Sequence, residues 1–532
     1  MKINKFTSLF ATCLLMGLTA CSNDNVSDAD SSNSAKDKDL TGKTSFSITS
    51  EAKTRTSGVY DGSGVDFYWT TNDNIWVNSG STTSPTLTAS SSNNITSTTA
   101  SAKFYFDGTY TAESYPVRYT GNANTSGNIV TIATSQNQDV ANNATQLGTV
   151  GDCAVGTATR QTDGSYKFTL SHKASYITFM PYYSKEELDA SAVVTQINVT
   201  AANGESLAGT FNFSDSGLGT ANSSSNSVTL TLNGTSSETG FPIPKAATAS
   251  KNAAIMVVAP GTYSTFKVTY TLYDSVTGTK STISYTYSGI NCTAGKNQVI
   301  KTDLGMATYT SRKSNYYMWD AKSNYWNGNE SNQPLLNNAV NTNYATSSAD
   351  PRWYNTAFKF KVLEKAINSC KDQPTFEALT WYIGGGSPQL DNKTLWVFAN
   401  HLYVGGIWLK KQSKISHFSS EENYQGTNTW DSGGDIKFTV VISGKPESSV
   451  RRDYFYLPAL GQYKDGKLTD LGKKGYYWAS TPNPVNSGPR SAGYGNIISA
   501  NCLRFGLNTQ SDNVYVRNYY ERYVGMQVQE FE

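Results

Sequence analysis

Alternation of apolar and polar residues with a period of two constrains this chain more than any other feature. Between residues 40 and 305 the alternation recurs in short stretches, for example 228–232 and 266–272. Turn-forming dipeptides such as Asn233-Gly234 and Pro260-Gly261 separate these stretches, and no long 3.6-residue period interrupts them. Short strands with turns at this spacing are typical of β-sandwiches. The length suits two such sandwiches, with a seam near residues 173–190.

Residues 306–532 have a different pattern, with Trp and Tyr at higher density. The segments 356–370 and 374–382 carry apolar spacing that is compatible with helices, and Pro374 suits the first turn of a helix. A run of three glycines follows and would end the second segment. Short strands and loops make up the remainder. This part therefore predicts a compact α+β domain.

Composition excludes several classes of protein. The 532 residues include 43 Lys and Arg and 41 Asp and Glu, a formal net charge of +2, so we expect no nucleic-acid surface. Residues 6–20 form the only continuous apolar run, which is too short for a mature membrane-spanning helix, so a multi-pass membrane protein is excluded. Charged residues are 16% of the chain, and Ser, Thr, Asn, Gly and Tyr supply the polarity instead. That balance is typical of extracellular β proteins.

The N-terminus predicts export. Lys2 and Lys5 precede the apolar run, as in a signal peptide covering residues 1–20. The sequence Leu-Thr-Ala-Cys that ends at Cys21 resembles a bacterial lipobox, which implies that Cys21 is lipidated; the alternative is an ordinary signal peptide with a chance Cys. Residues 21–43 are polar and cannot bury a core, so they are predicted to be a flexible tether or propeptide.

Five further segments follow the predicted lipobox. TSFSITSEAKTRTSG (44–58) comes first, and LSHKASYITF, VTQINVTAANGESLAGTFNF, MVVAPGTYSTFKVTY and CTAGKNQVIKTDLG come after it. This order resembles the Bacteroidales fimbrillin family, the subunits of type V pili, and the resemblance covers about half of the chain. It implies a mainly β fold, with two tandem transthyretin-like β-sandwiches at residues 44–175 and 176–305.

The resemblance also implies a mode of assembly. Fimbrillins are exported as lipoproteins and then cut by an Arg-specific protease after an early strand. Arg55 is the first Arg of this chain and lies in a small, polar, turn-like context, so the predicted cut separates Arg55 from Thr56. Loss of the preceding strand would open an apolar groove that a strand from another subunit could fill. The alternative is that Arg55 is an ordinary loop residue.

The C-terminal residues 306–532 resemble a different group. GYYWASTP (475–482), with FYLPALGQY before it and CLRFGL after it, is similar to the C-type-lectin-like domain of Bacteroidetes surface proteins. We take the Trp and Phe of these motifs as core residues that define a fold. The domain carries no Glu-Pro-Asn or Trp-Asn-Asp triplet of the kind associated with calcium-dependent sugar binding. We therefore predict no cofactor, with Ca²⁺ as an unsupported alternative.

Aromatic and amide residues in the C-terminal loops are the candidates for binding a ligand. Sugars stack on Trp and Tyr rings, while Asn, Asp and Glu bind their hydroxyls. Core packing of the same Trp residues is an equally open interpretation. The predicted ligand-binding residues are Trp319, Trp326, Asn428, Trp430, Asp431 and Asp435.

Cysteines and histidines indicate little chemistry. Cys370 and Cys502 fall in the same predicted domain of an exported protein, so we pair them as a disulfide. Cys153 and Cys292 are the remaining pair, with free buried thiols as the alternative. The three His form no metal-binding pattern, and no nucleophile or phosphate-binding motif occurs, so we predict that the protein is not an enzyme.

These patterns predict a fimbrial tip adhesin or accessory pilin at the cell surface. It would be exported to the outer membrane as a lipoprotein, joined to other fimbrial subunits by strand exchange, and would bind a glycan or a host or bacterial surface ligand. The first alternative is a permanently anchored glycan-binding lipoprotein that keeps Cys21. A glycan-degrading enzyme is the second alternative, and it would require two carboxylates about 5–10 Å apart in a cleft.

Overall fold

The protein is mainly β, as the sequence predicts. The computed structural model describes residues 40–48, 57–62, 64–232, 239–356, 365–426, 436–440, 442–482, 499–507 and 513–532. No helix in these ranges is both long enough and apolar enough to cross a bilayer. The elements group into three units along the chain.

The first unit is built from strands that enclose an aromatic core. Its eight-stranded sheet has the order β5-β4-β8-β11-β12-β1-β7-β6. The buried side of this sheet surrounds one core, in which Trp69 packs edge-on against Phe104 of β7 and Tyr119 at the end of β8. The elements of this part of the chain are β1 (Lys43–Ile48), β2 (Ser57–Tyr60), β3 (Val65–Tyr68), β4 (Trp76–Asn78), β5 (Leu87–Ala89), β6 (Ser92–Asn93), β7 (Ala102–Asp107), β8 (Ser114–Tyr119), β9 (Ile129–Ile132), β10 (Ser135–Gln138), α1 (Leu147–Val150), β11 (Ala154–Arg160) and β12 (Tyr166–His172).

The second unit has three sheets around one core. Their strand orders are β10-β17-β14-β20-β21, with β18 also paired to β14, β19-β13-β22 and β16-β15-β9. Its core also takes in side chains of β3, β9 and α1, which come from the segment that the sequence assigns to the first sandwich. The elements are β13 (Ser175–Tyr182), β14 (Ala192–Ala201), β15 (Ala208–Ser214), β16 (Gly217–Ser225), β17 (Ser227–Leu232), β18 (Phe241–Pro242), α2 (Ala249–Asn252), β19 (Ala254–Val258), β20 (Gly261–Asp274), β21 (Thr279–Cys292) and β22 (Asn297–Asp303).

The third unit is the predicted α+β part. Its sheets have the orders β23-β25-β26-β28 and β24-β34-β31-β32-β33-β27, with β29-β30 as a separate hairpin. The elements are β23 (Ala307–Thr308), β24 (Tyr316–Tyr317), α3 (Phe376–Gly384), β25 (Gln389–Phe398), β26 (His401–Lys410), β27 (Ile436–Thr439), β28 (Tyr454–Pro458), β29 (Leu460–Lys464), β30 (Lys467–Leu471), β31 (Lys474–Pro482), β32 (Ser499–Gly506), β33 (Asn513–Glu521) and β34 (Met526–Gln527).

One helix prediction is confirmed and the other is wrong where it can be seen. Helix α3 forms after Thr375, whose side chain accepts a hydrogen bond from the backbone N–H of Ala378 and so caps the first turn. Residues 365–370 are not helical. The reason is the buried carboxylate of Asp320, which accepts the backbone N–H groups of Ile367 and Asn368 and thereby takes donors that a helix would need.

Candidate functional site

Strand β1 occupies the middle of the first sheet. It runs antiparallel to β7 on one side and parallel to β12 on the other. Phe46 lies opposite Phe104 of β7 and opposite Tyr166 of β12. Both backbone edges of β1 are therefore paired. A strand in this place can be withdrawn only by leaving two neighbouring strands with exposed edges.

The side chains of β1 fill the core of the first unit. Phe46 is fully buried, and its ring stacks on Tyr166 at 4.5 Å between centroids and meets Phe106 edge-on at 4.9 Å. Ile48 is 4% exposed. Burying each such side chain contributes roughly 1.5–3 kcal/mol. Without β1 the first unit would present an apolar slot of one strand's width, which another strand of similar pattern could fill.

The residues that the sequence assigns to export and processing lie outside the described part of the chain. These residues are Cys21, Arg55 and Thr56. In the sequence, β1 ends at Ile48 and β2 begins at Ser57, so the peptide bond after Arg55 falls between the two strands. Lipidation and cleavage therefore stay predictions. A cut that separates β1 from the rest of the chain requires a site between β1 and β2, and Arg55 lies there in the sequence.

The structure corrects the predicted ligand-binding role of Trp319 and Trp326. Their exposed fractions are 0% and 1%, so neither ring can offer a face to a sugar. The indole N–H of Trp319 donates to the carbonyl of Ala479, and the Arg522 guanidinium lies 4.4 Å from the ring centroid. Trp326 packs against Tyr463 at 5.5 Å. Both are core residues because the surrounding strands close over them.

The other four predicted ligand-binding residues cannot be placed. Asn428, Trp430, Asp431 and Asp435 all lie in the segment 427–435, outside the described residues. Their role stays a prediction. Elsewhere in the described ranges, no three His, Cys, Asp or Glu side chains are grouped in a way that could hold a metal ion.

The predicted disulfide is not formed in this structure. Cys370 and Cys502 are both fully buried in one cluster with Trp319 and Trp478, but Cys370 is a free thiol. Its sulfur accepts a hydrogen bond from the backbone N–H of Asp320 at 3.2 Å. Burial raises the pKa of Cys370 to about 12, so the thiol stays protonated at neutral pH. Cys153 and Cys292 are likewise buried free thiols, the alternative left open by the sequence.

The groups that join the second and third units were not predicted from the sequence. Asp274 is fully buried at the end of β20, and its Oδ2 accepts a hydrogen bond from the backbone N–H of Leu402 at 2.9 Å. The same oxygen lies 3.1 Å from Nδ1 of His401. Thr277 donates to the carbonyl of Leu402 at 2.8 Å. An Asp before a turn is an ordinary turn signal. Only the packing of β20 against β26 makes Asp274 a hydrogen-bonded link between the second and third units.

Comparison with known proteins adds little at the level of sequence. No family model matches the chain, and no curated protein matches it. Solved structures resemble parts of it. A candidate cell adhesion protein from Bacteroides uniformis is 14% identical with a TM-score of 0.29, covering 49% of this chain and 93% of its own. One from Bacteroides fragilis is 12% identical with a TM-score of 0.25, covering 49% and 92%.

A third structure, a candidate adhesin from Bacteroides ovatus, is 9% identical with a TM-score of 0.20, and the match covers 49% of this chain and 93% of the other. Structural overlap at these scores assigns neither a fold nor a function to this chain. The placement of β1 and the junction of the second and third units therefore have to be judged from their own chemistry.

Proposed function

We propose that this chain is a cell-surface adhesin subunit of a filament. In this proposal it is exported as a lipoprotein through Cys21, cut after Arg55 and joined to a neighbouring subunit by strand exchange. The C-terminal unit then presents a site for a glycan or another surface ligand. The same broad role, cell adhesion, is the one given to the Bacteroides structures described above.

The observation that carries the proposal is the central position of β1. A strand at the N-terminal side of Arg55 is paired on both edges and supplies Phe46 to the core. A cut after Arg55 followed by release of β1 would open a slot between β7 and β12. Backbone hydrogen bonds along the slot would give a donated strand its affinity, and the apolar positions would set its register.

Strand β34 favours an accepting rather than a donating role. It is already paired with β24 on one side and β31 on the other. Met526 and Gln527 of this strand are fully buried. Withdrawing β34 to donate it would open the third unit, so we infer that the subunit accepts a strand. This polarity suits the tip of a filament or an accessory position.

The test is the N-terminal residue of protein sheared from intact cells. We expect Thr56 for the natural chain, and we expect Arg55→Ala and Arg55→Lys to stay uncut and outside the filaments. The Lys variant keeps the positive charge, so it separates recognition of Arg from a general need for a base. Lys53→Ala is the matched control and should be cut normally. Filaments that incorporate Arg55→Ala as well as the natural chain would refute the proposal.

A second function is favoured by the completeness of the uncut fold. With β1 in place, the described strands β12, β1 and β7 are paired side by side without a gap, as a permanently anchored glycan-binding lipoprotein would require. In that case the protein would keep an acylated Cys21 and remain in the membrane fraction, whatever residue occupies position 55. The sheared-protein experiment therefore separates the two functions.

A further inference from the structure

A cleft of about 520 Å³ opens between the second and third units. Strand β21 forms one wall and the connecting residues 305–309 form the base. The other wall comes from β25, β26, β28 and the loop that carries Lys445. Ligand sites for small molecules commonly have volumes of about 300–1,000 Å³ and occur between domains. Neither Trp319 nor Trp326 lines this cleft.

The walls of the cleft are held in place by hydrogen bonds between the units. Ser281 of β21 donates to the carbonyl of Lys393 at 2.8 Å, and Lys185 donates to the carbonyl of Met306 at 2.7 Å. The backbone N–H of Gly444 donates to the carbonyl of Leu390 at 2.9 Å, which fixes the Lys445 loop beside β25. A preformed cleft spares a ligand the entropy cost of ordering its site.

A half-buried indole forms the main surface of the third-unit wall. The N–H of Trp408 donates to Oδ2 of Asp391 at 2.9 Å, and the ring of Tyr456 packs 4.8 Å from it. Asp391 is itself fully buried. Trp408 is therefore held in one orientation while part of its ring remains accessible. An indole fixed in this way suits stacking against the apolar face of a sugar ring.

The carboxylate of Asp391 is fully used inside the protein. It accepts the backbone N–H groups of Lys393 and Thr394, the Thr394 hydroxyl and the Trp408 indole N–H. Burial acts to raise the pKa of Asp391, but hydrogen bonds from Thr394 and Trp408 outweigh it and hold this pKa below its usual range. Asp391 thus orients Trp408 and has no oxygen left to bind a cation or a sugar hydroxyl.

Two exposed lysines and the buried Asp391 are the charged residues that line the cleft, which gives its lining a formal charge of +1. Lys393 and Lys445 both line it, and Nζ of Lys445 lies 5.8 Å from the centroid of the Trp408 ring. Neither ammonium forms an ion pair with a described acidic residue. On the opposite wall, Thr282 and Ser284 lie on the same side of β21 and are exposed. The Ser284 hydroxyl shares a hydrogen bond with the Thr269 hydroxyl of β20 at 2.9 Å.

We propose that this cleft binds an acidic saccharide, a sugar that carries a carboxylate. The sugar ring stacks on Trp408, and its carboxylate pairs with Lys393 and Lys445. A neutral sugar would use the indole and leave both ammonium groups without a partner. This inference rests on the proposed ligand-binding role of the C-terminal unit and names its site and ligand class. The inference places the proposed binding site at the junction of the second and third units rather than in the loops predicted from the sequence.

The test is isothermal titration of the uncut, purified chain with matched pairs of sugars. The first pair is a galacturonate trisaccharide and its methyl ester, which removes the charge and keeps the rings. The second pair is sialyllactose and lactose. We expect the acidic member of at least one pair to bind roughly tenfold more tightly than its neutral match, because each ammonium makes a charged hydrogen bond. Which pair responds distinguishes a uronate from a sialic acid.

Variants locate the binding. Lys393→Ala and Lys445→Ala change exposed side chains, so the fold should be kept, and each should weaken acidic-sugar binding roughly tenfold. Trp408→Phe should weaken both members of a pair. Lys371→Ala, an exposed Lys outside the cleft, is the control and should bind as the natural chain does. Equal affinity for acidic and neutral sugars, no binding at all, or binding that the cleft variants leave unchanged would each overturn the inference.

This experiment is independent of filament assembly. The uncut chain is used, so a failure of Arg55 cleavage has no effect on the titration. Loss of filament incorporation in Arg55→Ala together with absent sugar binding would leave the assembly proposal standing and overturn the cleft. Sugar binding in the titration, together with natural protein that stays uncut and membrane-anchored on cells, would leave the cleft standing and overturn assembly by strand exchange.

Discussion

Replacing Phe46 by Ala gives the sharpest test of strand exchange, because Phe46 is part of the fold only before a cut at Arg55. The ring is fully buried and contacts Tyr166 and Phe106 at 4.5 and 4.9 Å. Phe→Ala changes in a packed core cost about 3–5 kcal/mol, since transfer and cavity terms add. For a unit of this size we expect the melting temperature of the precursor's first unit to fall by roughly 10 °C.

The same substitution should leave assembled filaments unchanged. In the proposed assembly, residues before Thr56 are lost, a strand from the neighbouring subunit occupies the slot, and position 46 is absent. Phe104→Ala is the matched control, because Phe104 is fully buried opposite Phe46 on β7 and stays in the chain after the cut. It should destabilise both the precursor and the filament. Phe46→Leu provides a milder variant should Phe46→Ala fail to accumulate.

The assay compares thermal unfolding of the uncut precursor with dissociation of sheared filaments in denaturant. Filaments of Phe46→Ala that dissociate as early as those of Phe104→Ala would show that β1 remains in place, and the reasoning would be refuted. An unchanged melting temperature of the Phe46→Ala precursor would refute the packing argument itself.

Three further predictions concern the second and third units. Asp274→Ala removes the acceptor that joins these two units and should cost about 1–3 kcal/mol for each buried donor left unpaired. Protease cleavage near residues 305–309 should become faster, and an unchanged rate would contradict the role of Asp274 in joining the units. The pKa of Asp391 is lowered in the folded state, so the contribution of Asp391 to stability is present above its unfolded pKa of about 4 and is lost as pH falls further. Trp408 fluorescence should change in that acid range, and Asp391→Asn should abolish the change. Cys370 should resist alkylation at pH 8 until the chain unfolds, because burial raises its pKa to about 12. If Cys370 resists alkylation even after unfolding without reductant, that result would instead reveal the Cys370–Cys502 bond predicted from the sequence.

Local patterns in the sequence determined the kinds of element that form. The alternating stretches 228–232 and 266–272 are strands in the structure, in β17 and β20. Helix α3 begins where Thr375 can cap it. These features depend on side-chain periodicity and on contacts within a few residues, which are present in the sequence itself. The mainly β class follows from them directly.

The sequence did not reveal which aromatic rings would face solvent. Trp319 lies in an aromatic, polar segment and Trp408 in an apolar one, yet Trp319 is fully buried and Trp408 is partly exposed. Whether each ring is buried or exposed depends on residues that are far away along the chain. Ala479 and Arg522 enclose Trp319, while Asp391, on the strand beside it, fixes Trp408.

Sequence alone therefore predicted short strands, a helix over residues 374–382 and an early strand ahead of Arg55. The tertiary structure alone decided that β1 inserts between β7 and β12, and that a cleft with two lysines opens between the second and third units. The physical reason is that strand pairing and the closure of units depend on contacts between residues tens to hundreds of positions apart. Their free energy comes from burial that no local pattern records.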